Sequence, residues 1–182
     1  MPQITIDGKA IPLQEYIDAQ PKKEQELIVL GSAPSALNQL YEAKELFPNS
    51  HIMAVNYAGV GCPYHVHYVA SVHGDQWLLE EINVREAELH ILENYLGPQP
   101  LVTKKWRTEP NCGTSGLFGA AVGLCMGYEK LVFTGVEITE PLYRTKNSFF
   151  CWSKIWGPML KKYSRGFSGL PLELFGHPKE GF

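Results

Sequence analysis

Two short stretches combine small residues with hydroxyls in the way that lets a backbone approach an anion. They are Gly31-Ser32-Ala33-Pro34-Ser35 and Asn111-Cys112-Gly113-Thr114-Ser115-Gly116. In the first, Gly31 permits close approach, and the helix expected next offers unpaired N–H groups to a phosphate or ribose. The same residues also suit an ordinary strand-to-helix turn, with Pro34 in the first helical turn and Ser32 or Ser35 as cap. The second stretch opens another helix in the same style. Neither reads GxGxxG or GxxxxGK[ST], so nicotinamide cofactors and ATP hydrolysis lose support.

Around these turns stand residues able to hydrogen-bond or move a proton. Asn56 ends an apolar run and could donate and accept toward a base or ribose, or serve as a turn residue. Glu137 follows another apolar run; it could accept from a sugar hydroxyl or be a solvated strand end. His73, in SVHGD, could act as a general base or hold a phosphate together with Asp75, which could equally be a cap. His65-x-His67 places two imidazoles on one face of a strand, but no third ligand is marked by spacing, so no metal site is expected.

The elements that must position these residues alternate between strand and helix. Asp7-Gly8 is a favoured hairpin turn between ITI and KAIPL, giving a small appended hairpin over 3–13. LIVLG at 27–31, HIMAVN at 51–56, VHYVASV at 66–72 and KLVFTGVEI at 130–138 read as strands, and LVT at 101–103 as a short one followed by a polar loop. Helices are expected over 35–47, 76–95 and 115–128. This pattern predicts an α/β fold, a Rossmann-like three-layer domain with a mostly parallel sheet. The division is 1–26 for the hairpin and lead-in, 27–140 for the core, and 141–182 for a basic, aromatic C-terminal segment. In parallel α/β sheets ligands sit at the carboxyl ends of the strands, where both turns, Asn56, His73 and Glu137 fall.

Composition bounds the classes. The chain has 182 residues, 16 basic against 19 acidic, 45% hydrophobic and 12% aromatic residues, which suits one globular domain rather than a disordered chain or a general polyanion binder. Four cysteines, spaced by 50, 13 and 26 residues, match neither a metal knuckle nor a disulfide framework, so reduced thiols and a cytoplasmic setting are expected. The longest nearly apolar stretch, 117–127, has 11 residues, too few to span a membrane, and the N-terminus lacks a signal-peptide pattern. Charge is unevenly spread. The 76–94 stretch is acidic with a single arginine, whereas 141–172 carries six basic residues, seven aromatics and no acid. In that segment Phe149, Trp152, Trp156 and Tyr163 recur near helical spacing, with Lys154, Lys161 and Lys162 elsewhere on the helix. The helix could bury its aromatic stripe on the sheet, or form a lid whose basic face steers a polyanionic acceptor, glycan or nucleic acid.

Taken together, VLGSAPSAL at 29–37, the strand ending in Asn56, and TSGLFGAAVGLCMGYEKLVFTGVEI at 114–138 resemble the sialyltransferase-like group, glycosyltransferase family 42 and the related motility-accessory proteins. Short free-standing chains with this motif set also resemble phage-encoded proteins. The resemblance implies a Rossmann-like variant with metal-independent catalysis and no cofactor. It also implies that the first turn and Asn56 bind the cytidine nucleotide of CMP-sialic acid, that the Thr114-Ser115-Gly116 turn holds the donor, and that Glu137 contacts the nucleotide; for this chain a CMP- or UDP-type nucleotide-sugar is expected as donor. Where the family has an arginine just before this turn, the chain has Cys112-Gly113, with Arg107 further upstream. Tyr143 stands in for the family's phosphate-binding tyrosines and His177 for its histidine base, and Arg144 and Lys146 are placed near the donor phosphate. The expected function is sugar transfer to an acceptor hydroxyl deprotonated by His73 or His177. The rivals are a non-catalytic nucleotide-binding or sequestering protein and a nucleotide-processing hydrolase. Self-association is left open.

Overall fold

The computed structural model describes residues 1–72, 87–92, 104–109, 114–136 and 157–166. Nine strands form one sheet. Mostly apolar runs buried at every residue, as expected of strands covered on both faces, give β3 (Leu27–Leu30), β5 (Tyr68–Ser71) and β8 (Leu131–Thr134), and β4 (His51–Val55) departs from this only at its half-buried first residue. The hairpin strands β1 (Gln3–Ile6) and β2 (Lys9–Pro12) meet at Asp7 and Gly8, both with positive φ (50° and 77°), as a two-residue hairpin turn demands. The hairpin is not a separate appendage, because β1 pairs antiparallel with β7 (Lys104–Glu109) and so lengthens the main sheet.

With β6 (Glu88–Leu92) and β9 (Ser164–Gly166), the order is β2-β1-β7-β6-β5-β4-β3-β8-β9. From β7 to β9 all pairing is parallel. The result is a mostly parallel α/β sheet, consistent with a Rossmann-like fold. β3 through β7 are laid down in one direction and β8 on the other side of β3, so strand order reverses between β3 and β8. α2 (Ala36–Leu46) packs its Ala36, Leu40 and Ala43 with Ile28, Leu30, Ile52 and Val132 on one face of the sheet. α1 (Leu13–Asp18) and α3 (Ser115–Cys125) pack with Val29, Met53, Ala70 and Phe133 on the other.

All residues of α3 are buried, and its glycines allow this. A Cβ on Gly119 would come within 3.2 Å of Ala70 Cβ and 3.3 Å of Met53 Sδ. Among the described residues no helix is long and apolar enough to cross a membrane.

Three sequence expectations fail, two of them for one physical reason. The helix expected over 76–95 contains β6 at 88–92, the polar loop after 103 contains β7, and the helix expected to run toward 172 is a short α4 (Gly157–Leu160) followed by β9. β6 and β7 carry polar residues on a face that parallel strands ordinarily make apolar, so neither shows the continuous apolar run that reveals its neighbours. Residues 76–86 and 93–95, the strand expected at 101–103, and Phe149, Trp152, Lys154 and Trp156 lie outside the described residues.

A close backbone contact stands at the strand reversal. The Gly31 N–H donates to the Thr134 carbonyl (2.8 Å) and the Ala33 N–H to the Gly135 carbonyl (3.0 Å). A Cβ on Gly31 would overlap the Gly135 carbonyl oxygen and lie 2.8 Å from both its carbon and Val136 Cγ2. Gly31→Ala is therefore expected to lose about 2–3 kcal/mol in equilibrium urea unfolding, by overpacking against backbone. Gly61, with nothing within 4 Å of an added Cβ, is the control: Gly61→Ala should stay within about 0.5 kcal/mol. Equal losses at the two positions would refute the close-approach account.

Candidate functional site

At the carboxyl edge the 31–35 turn passes from β3 over the end of β8 and into α2. Gly31 is buried and Ser32 and Pro34 are exposed. Ser35 immediately precedes α2, but its side chain makes no capping hydrogen bond to the first helical turn. The Gly135 N–H, with φ of 62°, donates instead to Gln39 Oε1 on α2 at 2.7 Å, and a Cβ there would lie 2.7 Å from Ala36 Cα. The helix start is thus seated on the end of β8.

Asn56 follows β4 with φ of 51°, a left-handed conformation that asparagine tolerates better than branched residues do. Ser71 Oγ, at the end of β5, donates to Asn56 Oδ1 (2.7 Å). With its carbonyl oxygen turned toward β5, the amide leaves its N–H₂ with no partner among the described residues. One residue on, the Val72 N–H donates to Ser115 Oγ (3.2 Å). Thr114 is an extended N-cap whose Oγ1 accepts from the Leu117 N–H (3.2 Å), a cap worth about 1 kcal/mol. Ser115 and Gly116 are buried in the first turn of α3.

The structure therefore brings together three groups that the sequence picks out separately: the Gly31 turn, Asn56, and Thr114-Ser115-Gly116. They stand along the carboxyl ends of β8, β3, β4 and β5. Ser71, Val72 and Gln39, which join these pieces, escaped the sequence reading, since their roles depend on strand register and helix placement rather than on residue type. Arg107 is not part of the group: it is exposed on β7, opposite Thr5 of the hairpin and three strands from β4. Lys161 and Lys162 are exposed just before β9, at the amino end of the parallel sheet and so opposite this edge. His73, Asp75, Asn111, Gly113, Glu137, Tyr143, Arg144, Lys146 and His177 lie outside the described residues. The described edge offers neutral hydrogen-bonding groups only. It can hold a polar ligand, and any acid–base step must come from residues beyond it.

No family model, curated protein or solved structure matches the chain.

The ionisable groups gather at the opposite edge. His65 and His67 precede β5 rather than lie in it. His67 stacks on His51 (centroids 4.3 Å apart), accepts from the Ile52 N–H through Nδ1 (3.2 Å) and meets His65 edge-on (4.6 Å). His51 Nδ1 is hydrogen-bonded to the Tyr128 hydroxyl, which also bonds the Tyr68 hydroxyl (3.0 Å). Among the described residues no group of three or more His, Cys, Asp or Glu side chains is placed to hold a metal ion. Burial is the largest cause depressing both imidazoles. Lys23, Lys44 and His65 add to it at His51, and His51, His65 and Lys44 at His67, which falls to about 4.

These histidines bind protons less well in the folded chain than in the unfolded one, where the value is about 6.5. Their contribution to stability is therefore complete above about pH 6.5 and is lost as pH falls through about 4. The urea midpoint should drop steadily from about pH 7 to about pH 4.5, and His67→Gln, which keeps an acceptor for Ile52, should shallow the drop. A midpoint equally pH-dependent in wild type and His67→Gln would contradict the assignment.

Proposed function

We propose that the protein binds a nucleotide or nucleotide-sugar along the carboxyl edge of β8, β3, β4 and β5, and transfers the sugar to an acceptor hydroxyl without a metal ion. On this reading the domain is a Rossmann-like three-layer relative of the sialyltransferase-like glycosyltransferases. The observation that carries it is the pair of hydrogen bonds from Ser71 to Asn56 and from Val72 to Ser115. They hold the asparagine and the Thr114-Ser115-Gly116 turn beside the strand reversal, where α/β sheets bind nucleotides.

With its Oδ1 engaged by Ser71, Asn56 presents N–H donors to acceptor atoms of a base or ribose. Of the Gly31 turn, whose Gly31 and Ala33 N–H groups are bonded to the end of β8, the exposed Ser32 reaches the ligand, and the N-terminus of α3 contributes the positive end of its dipole toward the phosphate. His73 or His177 deprotonates the acceptor, Glu137 takes a ribose hydroxyl, and Arg144, Lys146 and Tyr143 meet the departing phosphate. A second reading has one observation in its favour. Every described residue of the edge is uncharged, which suits a nucleotide-binding protein that performs no transfer.

Calorimetric titration with CMP, UDP, GDP and ADP tests the shared part. At least one should bind, and Asn56→Ala should weaken it by about tenfold through loss of the amide contact. Binding to none of the four would overturn both readings. Consumption of CMP- or UDP-sugar only in the presence of an acceptor supports transfer; binding without turnover, unchanged in His73→Ala and His177→Ala, leaves the non-catalytic reading.

A further inference from the structure

The face of β5, β6 and β7 that α1 and α3 cover breaks the rule that parallel strands are apolar on both sides. Tyr68 stands in register with Glu88, and His90 with Lys104, so these four share that face with Trp106. Together with Tyr16, Gln20, Lys23, Cys125 and Met126 they line a cleft of about 420 Å³ at the amino edge of the sheet. This is the opposite edge from Asn56 and Ser115.

The polar groups here are held in fixed positions. Trp106 Nε1–H donates to His90 Nδ1 (3.0 Å), and an indole can only donate. His90 is therefore the neutral tautomer with its proton on Nε2, and that proton points to Glu88 Oε2 (3.3 Å). Burial depresses the His90 imidazole, and the Glu88 carboxylate only partly offsets it. The chain from Trp106 through His90 to Glu88 thus fixes one carboxylate oxygen and leaves Oε1 without a partner among the described residues; the Glu88 side chain is 54% exposed. Lys104 Nζ lies 3.8 Å over the Trp106 ring and Lys23 Nζ 5.3 Å over Tyr128. Neither lysine reaches a carboxylate within 4 Å among the described residues. One anchored carboxylate and two aromatic-seated ammonium groups therefore share a cleft without neutralising one another. The last turn of α3, whose dipole is negative at that end, forms part of the wall through Cys125 and Met126.

We propose that this cleft binds a small zwitterion of the aromatic amino-acid type. Its ammonium meets Glu88 and the end of α3, its acid group meets Lys23 and Lys104, and its ring lies against Tyr68 and Trp106. A nucleotide, with several negative charges and no cation, would set its charge against Glu88. The proposal is independent of the nucleotide reading, since it concerns another edge and another ligand class.

The test is ligand-observed NMR on the full chain with three compounds that share one ring: L-phenylalanine, phenethylamine without the acid group, and 3-phenylpropionate without the ammonium. L-Phenylalanine should bind about tenfold tighter than either. Glu88→Gln should abolish its advantage over 3-phenylpropionate, and Lys104→Met its advantage over phenethylamine. Should Glu88→Gln fold poorly by circular dichroism, Lys104→Met, an exposed position, carries the test from the other charge. Equal affinities for the three compounds, no binding of any at about 10 mM, or affinities unchanged in folded Lys104→Met would overturn the proposal. Addition of CMP, UDP, GDP or ADP should leave L-phenylalanine binding unaltered; displacement by any of them would equally overturn it.

Discussion

The contact between the turn after β3 and the end of β8 is the constraint on which the rest depends. β3 is paired over the same four residues, Leu27–Leu30, with β4 on one side and β8 on the other. Its chain must leave the sheet directly over its neighbour, where only hydrogen stands on Gly31 and Gly135 and the backbones bond to each other. Because that passage is tight, α2 begins against Gly135, and Gln39 closes the seat from the helix side. With β3 set in this way, the ends of β4 and β5 fall beside it, where Ser71 hydrogen-bonds Asn56 and Val72 hydrogen-bonds Ser115.

The two edges of the sheet have opposite chemistries. The carboxyl edge is built from backbone groups, hydroxyls and the side-chain amides of Asn56 and Gln39. The amino edge is a belt of rings and charges, from Trp106 and His90 through Tyr68 and Tyr128 to His51, His67 and His65, each ring close to the next. Tyr128, fully buried at the centre of this belt, is pushed well above the ordinary phenol range by burial and by its bond with Tyr68, so it remains a neutral hydroxyl that links neighbours. Buried polar chains of this kind destabilise a fold when left half-satisfied and order it when complete. Two such chains lie here, His51–Tyr128–Tyr68 and Trp106–His90–Glu88, and the second ends at a carboxylate facing a cleft.

Much of the carboxyl edge was legible from residue types because its parts announce themselves locally. LIVL and LVFT are apolar without interruption, Thr114 precedes a run of small apolar residues, and Asp7-Gly8 permits little except a hairpin turn. The amino edge was not legible. ELHIL and KKWRTE contain the charges and imidazole that line the cleft, and those same residues disguise them as helix and loop. Their polar side chains break the apolar continuity by which a parallel strand is recognised. Pairing between distant pieces was likewise out of reach: that Ser71 would meet Asn56, or that Arg107 would stand opposite the hairpin, follows from strand order, which no local pattern encodes.

The central claim is that the carboxyl edge around β3 is where a nucleotide sits. Two-dimensional amide NMR of the protein titrated with CMP and UDP addresses it directly. The account predicts that one of them shifts Gly31 to Ala33, Ser35, Ala36, Asn56, Val72 and Ser115 to Leu117 while leaving Lys23, Glu88 to His90 and Trp106 in place. Shifts confined to the amino-edge residues, or none at all, would contradict it.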